Sequence, residues 1–430
     1  MPLPSRESLS HFLVLNRTVG IVLVTVLLFG LGEELWSQFM PLYLKAASRE
    51  TTHQAETMLE IPWQVLWSVG IYACLRNLFE GFCYIGGGNL TARLGDRGSL
   101  ILFALMTITG YVLFLTVPAS WAAILAALLI LGWEPLSVPV TFTTVGSTIA
   151  SGQQGMAFAI QSIQKRLPKI LGPPLAGLVL GICHRAIADE EAGYILGMRI
   201  LVGSALVSGL VSLAIQIRWM PYREIPPMNH SSWQIVKQIP PALRRLLVAE
   251  VFTRWCDWLV REFVVLYVMF ELGASTVKVG VLLAIQNITA LLTYLPIGRM
   301  TRTAGLQPFI GLTFVFFALF PLVLALMPNE NWLVLAFVTY GLREIGEPAR
   351  KALITNLMPE EIRARGVGLY WGIRSFAICW ASLVGAVLWY WGGPKTLLYA
   401  AFGFGCLGAA LFYGFCYGPV QTGKVPGKTE

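Results

Sequence analysis

Residues 30–44, GLGEELWSQFMPLYL, decide how this chain is to be read. Two adjacent carboxylates, Glu33 and Glu34, sit inside an apolar run that extends from about residue 19 to residue 44. Such a run is long enough to cross the roughly 30 Å of hydrocarbon in a bilayer. A similar stretch recurs at residues 253–268, TRWCDWLVREFVVLYV, where Asp257 falls opposite Glu33 and Tyr267 opposite Tyr43 at one and the same offset. An ionisable group near the bilayer centre costs on the order of 2.5–3.5 kcal/mol. Two charged spans at repeat-related places therefore imply a polar interior shared by two similar halves.

Composition extends this outward. Of 430 residues, 56% are hydrophobic and 13% charged, and the mean hydropathy is +0.67; a soluble domain is nearer a quarter charged. A soluble fold is excluded on this balance. Apolar runs of spanning length lie near 19–44, 62–85, 99–117, 121–146, 156–183, 194–217, 246–271, 277–298, 308–327, 332–357, 366–391 and 395–417, which makes twelve expected spans. The first is too long for a signal-peptide core and no small-residue cleavage site follows it, so it is expected to remain as a span.

Between the sixth and seventh spans lies the longest polar connection, with Pro221, Pro226, Pro227, Pro240 and Pro241, which resist continuous helix. The expected division is therefore an N-terminal bundle at 1–217, a cytoplasmic linker at 218–245, and a C-terminal bundle at 246–430 with a short cytoplasmic tail. With both termini inside, five basic residues (Lys45, Arg49, Arg185, Lys278, Lys395) face outward and fifteen face inward, which fits the positive-inside rule. The net charge of +8 follows this topology and forms no single basic block, so no nucleic-acid partner is expected.

The repeat continues past its first element. Gly88 and Gly95 correspond to Gly298 and Gly305, Glu134-Pro135 to Glu347-Pro348, and Gly172 to Gly385, with the offset constant through the last two matches. Transporter halves are often such repeats.

At residue 88 begins GNLTARLGDRG, which resembles the loop signature G-x-L-a-D-R-x-G-R-R of the major facilitator superfamily in Gly88, Leu90, Arg93 and Gly95. Ala92 stands where that signature has aspartate, and Asp96-Arg97 follow the second glycine. The second copy, GRMTRTAG from Gly298, is more degraded. The resemblance implies an all-α membrane protein of twelve helices in two six-helix bundles around a central cavity, with this loop acting in gating. Residues 172–177, GPPLAG, resemble the Gly-Pro run of antiporter members, which implies export; the same Gly172, Pro173, Pro174 and Gly177 are equally a packing kink. The helix-four arginine of proton antiporters has no counterpart, since Glu134 stands in that segment.

Charge placement points to the site. Spans three, nine and twelve carry no charge and span six only Arg199, so these four are expected at the lipid-facing periphery. The others carry Glu33, Glu34, Arg76, Glu80, Glu134, Lys165, Arg166, Lys169, Arg254, Asp257, Arg261, Glu347, Arg350 and Arg374 among their charged groups. Helical spacing puts Arg76 with Glu80, the stripe Glu250, Arg254, Asp257 and Arg261, and the stripe Arg343, Glu347 and Arg350 each on one face. These stripes are expected to point into one cavity, or to serve as ion-pair locks. The proton-carrier candidates are Glu33, Glu34, Glu134 and Asp257, with Glu33 and Asp257 first because they are repeat partners. Lys165, Arg166, Lys169 and Arg374 have no acid beside them on their own helices; they pair across the cavity or await an anionic ligand.

No metal, cofactor or catalytic arrangement is expected: the four histidines are scattered, the seven cysteines form no CxxC pair, and there is no phosphate-binding loop. The expected function is proton-coupled export of a small amphipathic or anionic compound by a monomeric, multi-pass protein of the inner or plasma membrane. Uptake of a sugar or organic anion is the nearest alternative, and a non-transporting scramblase, sensor or assembly partner the one of another class.

Overall fold

A computed structural model describes residues 17–50, 61–137, 154–220, 236–359 and 363–417. Among these residues the chain is helical throughout, as a backbone without access to water must be. Helices α1 (Arg17–Glu34) and α2 (Met40–Glu50) are joined by a 3₁₀ turn at Ser37–Phe39. Then follow α3 (Trp63–Thr116), α4 (Ser120–Leu131), α5 (Gln154–Ala186) and α6 (Glu190–Trp219). The second half brings α7 (Pro241–Val260), a short turn at Val264–Leu266 with a π-helical turn at Tyr267–Glu271, α8 (Thr276–Ala304) and α9 (Gln307–Ala325). It ends in α10 (Leu333–Leu342), α11 (Glu347–Leu357), α12 (Arg363–Ile378) and α13 (Ala381–Phe415). Among the described residues, eight helical stretches are long and apolar enough to cross a membrane. The two tails, residues 51–60, 138–153, the linker's 221–235 and 360–362 lie outside the described residues, as does the end of the expected fourth span from residue 138.

The repeat reappears as matching interruptions. The first span breaks at 35–39 and the seventh at 261–263; the fourth breaks at Gly132 and the tenth at 343–346. Gly95 (φ 70°) and Gly305 (φ 78°), paired by the sequence repeat, both adopt the left-handed conformation that only glycine takes up freely. The stretch from Gly88 was expected to be a loop. Instead α3 stays helical through residue 94 and turns only at Gly95. Arg97 of this motif donates to the Ile217 carbonyl at the end of α6, at 2.6 Å.

Two close contacts join the halves. α5 packs along α8, and the first part of α3 along α12 and α13. Both depend on residues small enough for backbones to meet. Ser382 Oγ donates to the Gly70 carbonyl at 3.3 Å, while the buried Cys74 and Cys379 interact across the same seam. Large apolar side chains such as Leu105, Val112, Val207 and Leu407, on the third, sixth and twelfth spans, are exposed. A bilayer covers such surface at no cost, whereas water would not.

Candidate functional site

A cavity of about 320 Å³ lies between the halves, walled by α1, the Trp133–Ser137 stretch that follows α4, α5, α8 and the broken seventh and tenth spans. At 343–346 the helix gives way to a turn, and Arg343 and Glu344 line the cavity there. Around it, Lys351 is 53% and Glu134 43% exposed, whereas Glu34 is 5% exposed and Asp257 fully buried. The cavity thus opens toward the Lys351 end. The opposite end is shut by Trp36, Phe39, Tyr43, Phe263 and Tyr267, all buried, and by Lys45, whose ammonium lies 3.8 Å from the centre of the Phe270 ring.

The four carboxylates expected to carry protons occupy different surroundings. Glu33 lines the cavity and makes no ion pair or side-chain hydrogen bond with another described residue; the charges that act on it are Glu134, Glu34, Arg76 and Lys169. Glu34 accepts from Gln38 at 3.1 Å and lies 3.7 Å from Lys169. Glu134 pairs with Lys165 at 3.1 Å. Asp257, the repeat partner of Glu33, is set behind the wall and held by Arg343, by Arg261 at 3.6 Å and by Arg254 at 4.0 Å. Repeat symmetry thus places two carboxylates alike and then surrounds them unlike.

The basic groups on α5 find acids across space: besides the two lysine pairs, Arg166 donates to Asn287 at 3.0 Å, to Glu344 at 2.8 Å and to the Tyr294 hydroxyl. Arg166 therefore ties the first half to the second. Seven basic and five acidic residues line the cavity among the described residues.

Not every charged stripe reaches this cavity. Of the expected cavity residues, Lys165, Arg166, Lys169, Arg254, Arg261 and Glu347 line it, and Arg76, Glu80, Arg350 and Arg374 do not. Arg76 bridges Glu80 at 3.2 Å and Glu262 at 3.4 Å, the latter across the halves. Glu250 pairs with Arg350 at 2.9 Å and lies 3.7 Å from Arg374, in a buried cluster behind the cavity wall that Arg350 joins to Glu347. The expected one-helix pair Arg343–Glu347 does not form, because the turn at 343–346 destroys the i,i+4 geometry it needs. Glu347 instead meets Arg350, Lys351 and Arg254. Gln161, the repeat partner of Arg374, has a side chain outside the description.

Sequence reasoning did not single out Gln38, Tyr294 and Tyr340, which line the cavity, nor rank Arg343, Glu344 and Lys351 among its candidates. Tyr294 lies seven residues beyond Asn287, on the same helical face, and that spacing was the available signal. The Gly-Pro run is absorbed by packing. A Cβ at Gly172 would lie 2.9 Å from the Glu34 carbonyl oxygen, and one at Gly280 would lie 2.3 Å from the Pro173 carbonyl oxygen.

The geometry agrees with known proteins. The family model described as Major Facilitator Superfamily matches residues 246–430. An uncharacterized MFS-type transporter of Methanocaldococcus jannaschii is 21% identical over 355 residues, 78% of this chain and 82% of that protein. The crystal structure of the human organic anion transporter TETRAN superposes with a TM-score of 0.68 at 16% identity, covering 92% of this chain and 98% of its own. That of a D-xylose–proton symporter gives 0.67 at 16% identity, covering 94% and 98%. Helical architecture, paired halves, a central charged cavity and these likenesses agree: residues 246–430 match the Major Facilitator Superfamily model, and the chain as a whole has the fold of these membrane transporters.

Proposed function

We propose that the protein moves a small anionic solute by proton-coupled alternating access, with Glu33 as the proton carrier. The observation that carries this is the imbalance within the cavity. Glu33 has no ion-pair partner among the described residues on one wall, while three arginines converge on the single carboxylate of Asp257 beyond the other. A carboxylate with no fixed counter-ion gains and loses a proton without breaking an ion pair, whereas Asp257 would first have to release its arginines. The name of the organic anion transporter reported above accords with an anionic solute.

In this proposal the chain makes twelve crossings, with bundles at 1–217 and 246–430 rocking about the midplane as a monomer. Both termini lie in the cytoplasm, so the shut end is outer and the cavity opens inward.

Direction divides into two readings. Export, expected from the Gly-Pro run, requires proton and solute to compete. The cavity itself favours the second, uptake: neutralising Glu33 removes a negative charge that opposes an anion, so proton and anion reinforce each other's binding. Purified protein in liposomes under an imposed proton gradient tests both. Movement of an organic anion with the protons, accumulating on the alkaline side, supports uptake, and movement against them supports export. Unchanged pH dependence in Glu33→Gln removes the proton-carrier assignment altogether.

A further inference from the structure

The three arginines that meet Asp257 are not equally occupied. Arg343 is 4% exposed, pairs with Asp257, lies 3.6 Å from Glu344 and stacks 3.9 Å from the centre of the Tyr340 ring. Arg254, 14% exposed, is shared between Glu347 at 3.7 Å and Asp257 at 4.0 Å. Arg261, 27% exposed, has only Asp257, at 3.6 Å, a distance too long for a hydrogen bond. A guanidinium offers five N–H donors in one plane, and those of Arg261 are given to no described residue. Beneath it lies the Trp258 ring, 4.8 Å from the guanidinium carbon, which fixes where that plane sits. One turn further on, Val264 and Val265 continue the cavity wall as apolar surface.

We infer that Arg261, resting on Trp258, is the seat for the carboxylate of a small organic anion whose apolar body lies against Val264 and Val265, and that it thereby sets which solutes the cavity accepts. The inference deepens, and rests on, the anion-transport proposal above. A carboxylate matches the planar fork of a guanidinium in two parallel hydrogen bonds, which an ammonium cannot supply. Asp257 Oδ2 accepts no hydrogen bond, so seating an anion on Arg261 gives up a loose contact and no formed bond.

Benzoate is the probe, with benzamide as its neutral counterpart of the same shape, titrated into the detergent-purified full chain while thermal stability is followed. Benzoate is expected to raise the melting temperature in a saturable way and benzamide to leave it unchanged. Arg261→Lys, which keeps the charge but not the fork, is expected to weaken the benzoate midpoint about tenfold or more, and Arg261→Gln to abolish the response. The seat is overturned if benzoate does not stabilise the wild type, if benzamide stabilises it equally, or if either variant titrates as the wild type does. Should Arg261→Gln not fold, Arg261→Lys, with a cooperative melt in the absence of ligand, decides alone. Failure of the transport proposal looks different: benzoate binding that depends on Arg261, with no gradient-driven benzoate flux in liposomes.

Discussion

Gly177 of α5 lies directly against Thr276 at the start of α8. A Cβ at Gly177 would sit 2.3 Å from the Thr276 carbonyl oxygen, and Thr276 Oγ1 donates to the Gly177 carbonyl at 3.1 Å. This is where the two halves meet at the shut end, backbone on backbone. Real side chains do not tolerate such a distance, so any larger residue must part the helices. Gly177→Val is expected to favour the form in which that end is open. An impermeant maleimide should then react faster with Phe270→Cys in the Gly177→Val background than in the parent; equal rates would mean the seam does not control opening.

Glu33→Gln keeps the shape of the cavity wall and removes the one carboxylate there that has no described partner. Proton-driven flux is expected to fall to background while exchange of solute across liposomes persists, because exchange needs no net proton movement. Glu134→Gln, by contrast, frees Lys165 and is expected to impair binding and exchange together.

Asp257 is the counter-ion of Arg343, which is 4% exposed. Removing one partner of a buried pair leaves an uncompensated charge, at a cost of about 3–5 kcal/mol. Asp257→Asn should therefore lower the melting temperature more than Glu80→Gln, whose partner Arg76 retains Glu262. Adding Arg343→Met to Asp257→Asn is expected to recover part of the loss.

Cys74 and Cys379, one from each half, are both buried and interact across the seam. Mild oxidation is expected to link them and to arrest transport, with recovery on reduction. Cleavage within the 221–235 connection followed by non-reducing electrophoresis would show the halves joined, and Cys74→Ser should abolish the link. Oxidant-resistant flux would show that this seam does not need to open.

Much of the architecture was legible because it depends on local rules. Hydropathy length marks spans, a constant offset marks the repeat, and Gly95 with Gly305 identified positions where the backbone turns left-handed. The interruption of the tenth span was not legible: residues 343–346 carry Gly346 beside charged residues, and nothing in their spacing separates a turn from a helix. That turn set Arg343 on Asp257 in place of Glu347, and so altered the ion pairs of the whole second half.

By itself the sequence determined that the chain crosses a membrane many times in two related halves, and which charges would be confined within it. That follows because hydrocarbon excludes unpaired polar groups wherever they fall along the chain. Only the tertiary structure decided which of those charges meet. Glu33 and Asp257 are equivalent by repeat, yet one faces the cavity alone and the other is enclosed by three arginines. Pairing depends on groups from different helices coming within a few ångströms, and no spacing within one helix fixes that distance.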